Sequence, residues 1–424
     1  MSRNLRQSAA WYLCRKLSMR PSDGRGLPPG VVTAIAGVAL SVAIMLTSMA
    51  VVYGFKYSIV KKLTGFHAQI TLTAPETADT GMTEGLRLTD SLTSLISDVC
   101  GPGHTANLVL MQPAVLKTDS AFQGLMLKGI EYHPSAWQFV EQNLVAGRIP
   151  EPTDSTFNEV VLSSATARAL SVKEGDRIMA HFIENESLRS RRLDITGIYD
   201  SHFGDYDAAI AFTPISMLQR LNKVDSITGT SIELRGLDAD QIDAAARNIT
   251  AELFNVSIEN SSNPMYYTVG TLRDKCGLYI NWLDLLDTNV VVIVILMALV
   301  AASTLISSLF IIILQRVNTI GLLKALGATD SLIRRTFILM SQRLVVSGLL
   351  IGNALALLFI FVQDKFHLLP LDPESYYLNY VPVKLSVTAW LAVNIGAVVI
   401  SALILILPSH IIAKISPAKS IRYE

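Results

Sequence analysis

Residues 290–314 read VVVIVILMALVAASTLISSLFIIIL, an apolar run without a single charge. Crossing the hydrocarbon core of a bilayer, roughly 30 Å thick, takes about 20 apolar residues in a helix, which makes this run a membrane span. Working outward, residues 31–52, 344–362 and 385–407 meet the same requirement and are also free of charge. The composition agrees: half of the 424 residues are hydrophobic, 17% are charged, and the formal net charge is zero, too apolar for an ordinary soluble domain. About thirty residues precede the first window, and its apolar run exceeds the roughly 7–15 residues of a signal-peptide core, so it is expected to stay attached.

Four spans put both termini on one side, and the distribution of lysine and arginine says which. Arg3, Arg6, Arg15, Lys16, Arg20 and Arg25 precede the first span, Arg316, Lys324, Arg334, Arg335 and Arg343 separate the second from the third, and Lys414, Lys419 and Arg422 follow the fourth. They outnumber the basic residues near the other side, Lys56, Lys61, Lys62, Arg273, Lys275, Lys365 and Lys384. Both ends are therefore expected in the cytoplasm of a multi-pass membrane protein. The expected organisation is a cytoplasmic segment 1–29, a span 30–53, an external domain 54–289, a span 290–314, a cytoplasmic segment 315–343, a span 344–363, an external loop 364–384, a span 385–408 and a tail 409–424.

The external region carries more acidic than basic residues, which argues against nucleic acid as a partner. Its ends continue the flanking spans as helical stalks, because Val52, Phe55, Ile59 and Leu63, and likewise Leu272, Cys276, Ile280, Leu283 and Leu286, recur at helical spacing. Between the stalks, β-branched and alternating runs from Ala68, Asn107, Gly124, Glu159, Asp176, Leu193, Ala208 and Ser231 predict strands, and helices are expected at 164–170, 215–221 and 239–254. The reading is an α+β domain inserted between spans one and two, arranged as two small mixed subdomains. Cys100 and Cys276 form no CxxC pair; a disulfide between them is open, and free buried cysteine is the commoner state.

Several chemistries are missing. There is no GxxxxGK[ST] phosphate loop, no HExxH or other paired metal spacing among the seven histidines, and no GxSxG elbow. The chain itself is expected to bind no nucleotide or metal and to be no enzyme. Within the spans, Asn353 and Asn394 are the most polar groups and read as hydrogen-bond partners between helices. Gly348 and Gly352 form a GxxxG pattern, equally suited to a subunit contact or to packing within the chain's own helices.

The segment IGLLKALGATDSLIRRTF, 320–337, lies between spans two and three. Ile320, Leu323 and Leu326 share a helical face, Gly327 suits a left-handed helix end, and Thr329 or Asp330 can cap a second helix. In that helix Leu332, Ile333, Thr336, Phe337 and Met340 share one face while Arg334 and Arg335 point elsewhere. From periodicity alone, such a helix-break-helix also suits a topology anchor on anionic lipid headgroups.

The run GLLKALGATDSLIRRTF resembles the cytoplasmic coupling element of ABC transporter permeases of the FtsX/MacB superfamily. SPAKSIRYE at the C-terminus, VVYGFKYSIVKKLTGFHAQITL from Val51, GLMLKGIE from Gly124, EVVLSSATARALSVKEGDRI from Glu159 and GIYDSHFGDYDAAIAF from Gly197 resemble consecutive blocks of its lipoprotein-releasing LolC/LolE group. The resemblance implies a permease of the mechanotransmission type, paired with a second permease as a homo- or heterodimer. It implies a separate ABC ATPase that carries ATP and Mg, with Ile320, Gly321, Leu323, Lys324, Leu326, Gly327, Ala328 and Arg334 forming the ATPase-coupling site. It further implies a lipoprotein substrate passed to a periplasmic carrier, with a substrate cavity placed at Leu46, Met49, Tyr53, Phe55, Leu285 and Val292. Carrier contact falls on Glu184, Arg189 and Arg191, in a loop that looks shorter than the family's hairpin. Asn318 and Thr319 stand where the superfamily often has an Arg-Glu pair. The alternative within the superfamily is an FtsX-like regulatory transducer that activates a periplasmic partner such as a cell-wall hydrolase.

Overall fold

A computed structural model of the protein describes residues 29–74, 85–151, 158–184, 187–238, 241–259 and 267–405. They divide into two units: Ser58–Asn281 with Leu371–Asn379, and the remainder, which holds the apolar helices. Helix α1 (Pro29–Phe66) passes without a break from the first span to residue 66, so the stalk expected beyond residue 53 is one helix with the span.

The unit between the first two spans contains β1 (Ile70–Thr73), β2 (Leu86–Arg87), α2 (Asp90–Cys100), β3 (Thr105–Lys117), β4 (Phe122–Ile130), α3 (Pro134–Gln142) and β5 (Leu144–Gly147). It continues with β6 (Glu159–Ser163), α4 (Ser164–Leu170), β7 (Arg177–Glu184), β8 (Ser187–Tyr199), α5 (Gly204–Ala209), β9 (Ile210–Pro214) and α6 (Ile215–Asn222). The last elements are β10 (Thr228–Gly229), β11 (Ser231–Arg235), α7 (Ile242–Glu259), β12 (Thr268–Thr271) and α8 (Leu272–Lys275).

Two separate subdomains were expected; the strands instead join into one ten-stranded sheet, with β2 and β10 forming a small second one. The reason is the length of β3. Its first half pairs with β11, its whole later course with β4, and its end, Val115–Lys117, with β7. Because β4 pairs with β9, β9 with β6, β6 with β8 and β8 with β7, six strands close into a ring through β3. The open extension β11–β1–β12 leaves the same strand on the other side, and α2 and α7 bury Leu92, Ile96, Ala245, Ile249 and Leu253 in the common core. Cys100 and Cys276 are both free.

At the end of α1 the aromatic rings gather. Phe66 stacks on Tyr206 at 5.1 Å and meets Phe139 edge-on at 4.9 Å. A side chain on Gly65 would collide with the Phe139 ring, so glycine is required there. His67 follows, and burial together with the nearby Lys128 pushes its imidazole pKa down to about 4. Between pH 6.5 and 4 the unfolded chain binds a proton that folded His67 refuses, so stability falls as pH drops through that window. The loss should approach about 3 kcal/mol, at 1.36 kcal/mol per pKa unit. Thermal unfolding followed against pH should show this slope in the wild type and a flatter one in His67→Phe.

The other unit is a helical bundle. It contains α9 (Gly277–Gln315, from Trp282 onward), α10 (Val317–Ala325), α11 (Asp330–Phe366) and α13 (Val387–Ile404), while the short α12 (Pro373–Tyr376) belongs to the first unit. Among the described residues four helices, α1, α9, α11 and α13, are long and apolar enough to cross a membrane. From Gly277 onward the second stalk is one helix with the second span, and the helix predicted after Gly327 is continuous with the third span as its first turns.

Small residues let α1 sit at the centre. Gly37 faces Thr304 of α9, leaving only 2.5 Å to a would-be Cβ, and the Ser308 hydroxyl donates to Gly30 O at 2.6 Å. On the other side Gly348 and Gly352 of α11 lie against Val38 and Ala39. The GxxxG pattern is thus used inside the chain. Asn353 and Asn394 join α11 to α13 as expected, at 2.7 Å, and the Trp390 indole N–H donates to Asn353 Oδ1 at 2.6 Å.

Candidate functional site

The elbow between α9 and α11 is built by local rules. At the C-terminus of α10, Gly327 takes φ +91°, and Gly327 N–H donates to Lys324 O while Ala328 N–H donates to Leu323 O. This is the Schellman arrangement, in which a left-handed residue closes the helix and satisfies its last carbonyls. Lys324 Nζ then reaches Asp330 Oδ1 at 2.8 Å, tying α10 to the first turn of α11.

The orientation of α10 corrects the reading of its apolar face. Ile320 and Gly321 are buried, and Leu323 and Ala328 pack against the bundle core beside Ile333, Phe337 and Met340. These residues fix the elbow to its own protein. The outward apolar residues are Leu326, 76% exposed, and Leu322, 57% exposed, with Arg334 half-buried and Arg335 exposed. Leu322 is absent from the set that the sequence suggests. Its signal is the spacing of four to Leu326, which sets the two on one stripe.

The cavity residues separate in a similar way. A cavity of about 100 Å³ lies at the end of the bundle where α13 begins, lined by Met49, Ala50, Val52 and Tyr53 of α1, Val290 and Asp287 of α9, and Leu385, Ser386 and Ala389 at the start of α13. Met49 and Tyr53, two of the six residues named above, are among its lining. Leu46 is not: it is buried at 1% exposure with Leu305 and Leu309 in the bundle core. One turn further into the bundle along α1, it falls among the core residues rather than at the cavity. Phe55 packs edge-on against Trp282 at 5.7 Å, and Leu285 and Val292 are exposed on α9.

Polar contacts brace this end. Lys56 Nζ lies 2.6 Å from Asp287 and 3.3 Å from Asp284, linking α1 to α9. Lys384 sits over the Tyr57 ring at 3.1 Å, and its backbone N–H donates to Ala50 O. Gly54 permits that approach, since a Cβ would lie 2.7 Å from Pro382 O. The cavity is smaller than the roughly 300–1,000 Å³ of small-molecule sites, so one chain encloses only part of any long apolar ligand.

The hairpin residues belong to the other unit. Glu184 pairs with Ser187 at the end of β7 and β8, and the two residues between them lie outside the described ones. Arg189 donates to Leu221 O at 2.9 Å, holding the end of α6, while Arg191 is exposed and lines a groove with Asn158, Met217 and Arg220. Glu184, Arg189 and Arg191 belong to the unit of Ser58–Asn281, and the elbow and cavity residues to the helical bundle.

Two family profiles match successive parts of the chain. Residues 31–252 match the family profile described as MacB-like periplasmic core domain, and residues 291–417 match the FtsX-like permease C-terminal profile. The chain is 21% identical over 408 residues to the lipoprotein-releasing system transmembrane protein LolC of Xylella fastidiosa strain 9a5c, covering 92% of this chain and 93% of the relative. Its counterpart in strain Temecula1 gives the same identity and coverage. Among solved structures, the periplasmic region of MacB from Actinobacillus actinomycetemcomitans aligns with 16% identity and a TM-score of 0.34, over 53% of this chain and 97% of that one. With the first profile spanning more than half of its length and the second the remaining helices, the chain belongs to the FtsX/MacB family of ABC transporter permeases.

Proposed function

We propose that this chain is the permease subunit of a mechanotransmission ABC transporter that releases lipoproteins from the inner membrane toward a periplasmic carrier. The observation that carries the reading is the end-to-end likeness to two proteins named as lipoprotein-releasing components, over 92% of this chain. As a permease of this family it is a multi-pass inner-membrane protein and, in general, works with an ABC ATPase and a second permease. In this reading the termini are cytoplasmic, ATP and Mg reside on the ATPase, and this chain binds neither.

The physics of the cargo fits the outer end of the bundle. Each acyl methylene buried in lipid is worth about 0.8 kcal/mol, so a multiply acylated protein does not leave a membrane unaided. Extraction needs an apolar surface open to the bilayer; Met49, Tyr53 and Val290 line the cavity, and α9 separately exposes Val292, Ile295 and Leu299 on another face. Hydrolysis by the partner would move the elbow, and α1 and α9 would carry that movement outward.

A photo-crosslinking residue at Met49 or Tyr53 tests the reading in native membranes. Capture of acylated lipoprotein, lost when ATP is supplied, is expected. Capture of only lipids, together with a cell-wall hydrolase bound to the domain between the first two spans, would overturn it in favour of a regulatory transducer.

A further inference from the structure

Every helix ends with four carbonyls that its own backbone does not satisfy, and the partial negative charge there favours a cation. Helix α1 has no basic residue in its last turn. The sheet supplies the cations instead. Lys128 Nζ, from β4, donates to Phe66 O at 2.6 Å; Arg235, from β11, donates to Thr64 O and to Gly65 O; and His67 N–H donates to Leu63 O. All four terminal carbonyls are met.

The two cations are bound together by one carboxylate. Glu233 accepts from Lys128 at 2.6 Å through Oε1 and from Arg235 at 2.9 Å through Oε2. Lys128 and Glu233 are buried, with side chains 2% and 8% exposed. Burial alone would raise the Glu233 pKa, yet Lys128 and Arg235 hold it down to about 2; burial lowers that of Lys128 to about 8. The two shifts act oppositely on the pair, one favouring its charged form and one opposing it. Two cations on one carboxylate at these distances favour the charged form at neutral pH.

The same end of α1 is fixed in other ways. Only His67, Ala68 and Gln69 separate it from β1, and the Gln69 side chain both donates to and accepts from the Leu237 backbone, at 2.7 and 2.8 Å. Gln69 O accepts from Leu272 N–H at 2.9 Å, where α8 opens the second stalk, and Ile70 pairs with Thr271. Both stalks therefore start from neighbouring, paired strand ends.

We propose that Lys128, Glu233 and Arg235 clamp the last turn of α1 to the sheet, so that helix end and sheet move as one body, and that they are positioning residues for transmitting movement. The transmission role rests on the transport reading above; the clamp itself does not. Burying an ion cluster returns little net stability, since well-packed apolar residues do as well or better. What apolar residues cannot reproduce is directed bonding to three carbonyls, which fixes the rotation and height of the helix end.

The test uses the full chain, with its copurifying ATPase, in nanodiscs. Lys128→Met alone should lower the unfolding temperature by at least 5 °C, because Glu233 loses a buried partner. The triple variant K128M/E233L/R235M should unfold within a few degrees of wild type while hydrogen exchange of the amides at 63–67 rises at least tenfold. Its ATP-driven release of an acylated protein should fall at least tenfold with hydrolysis retained. Arg235→Lys, which keeps the charge but loses the fork across Thr64 and Gly65, should fold normally and raise exchange about threefold, so the clamp stays testable even if the triple variant misfolds. Wild-type exchange in Arg235→Lys, or in a folded triple variant, would overturn the clamp. Raised exchange with unchanged release would overturn its role in transmission. If wild-type protein releases no cargo, the exchange result still stands, and only the transport reading fails.

Discussion

Replacing both Leu322 and Leu326 by Asp should detach the ATPase while leaving the permease folded and inserted. These side chains are 57% and 76% exposed on α10, and fully burying a leucine against a partner is worth about 1.5–3 kcal/mol. A carboxylate in the same place adds a desolvation cost. Together the changes should weaken association at least a hundredfold, since each 1.4 kcal/mol is tenfold. Quantitative copurification from detergent measures it, with thermal unfolding as the control for folding. Ile320→Ala makes the contrast: it empties a buried site in the bundle and should cost about 2–5 kcal/mol of stability. Gly327→Pro should also uncouple, because proline fixes φ near −65° where the elbow has +91° and removes the N–H that bonds Lys324 O.

The second large effect belongs to Gly352. A Cβ there would sit 2.6 Å from Ala39 O and 3.0 Å from Val42 Cβ, so Gly352→Val must push α11 off α1. Overpacking of this kind costs about 1–3 kcal/mol, and in this case it falls on the contact that centres the bundle. The unfolding temperature in detergent should drop by several degrees, and the ATPase should copurify in lower yield. Gly396→Val, on α13 with nothing within 4 Å of its would-be Cβ, should be neutral in both assays. Equal behaviour of the two variants would remove the packing role given to the GxxxG stripe.

The parts of this protein that are legible in its sequence are those set by period and composition. Spans announce themselves by uninterrupted apolar length, and the strands by β-branched runs; helices α4 and α6 lie on the residues where periodicity places them. Helix α2 has a signal that the strand-centred reading passes over: Thr89 caps it by accepting from Leu92 N–H, and Leu92, Leu95, Ile96 and Val99 make a helical stripe. For α3 the signal is Pro134 at its first turn, behind His133. The closure of six strands through β3 is beyond reach, because a long strand does not reveal how many partners it has.

The site is legible to the same degree. Gly327 is identifiable as a helix end from its type and position. The choice between Leu322 and Ile320 as the outward residue is not, because α10 is apolar on both sides and only packing against Ile333 and Phe337 decides which faces in. Leu46 illustrates the same limit, a residue suited to a cavity that the bundle core claims. Lys128 and Arg235 in strand runs give no hint of their purpose, since their partners are backbone carbonyls 62 and 171 residues earlier.

Proteoliposomes holding the chain, its copurifying ATPase and a triacylated protein test the central claim most directly. Added ATP should move the acylated protein into the soluble fraction, and the Leu322→Asp, Leu326→Asp variant should abolish that release. Hydrolysis that proceeds with all of the acylated protein still in the membrane, in the presence of a soluble acceptor, would contradict the account.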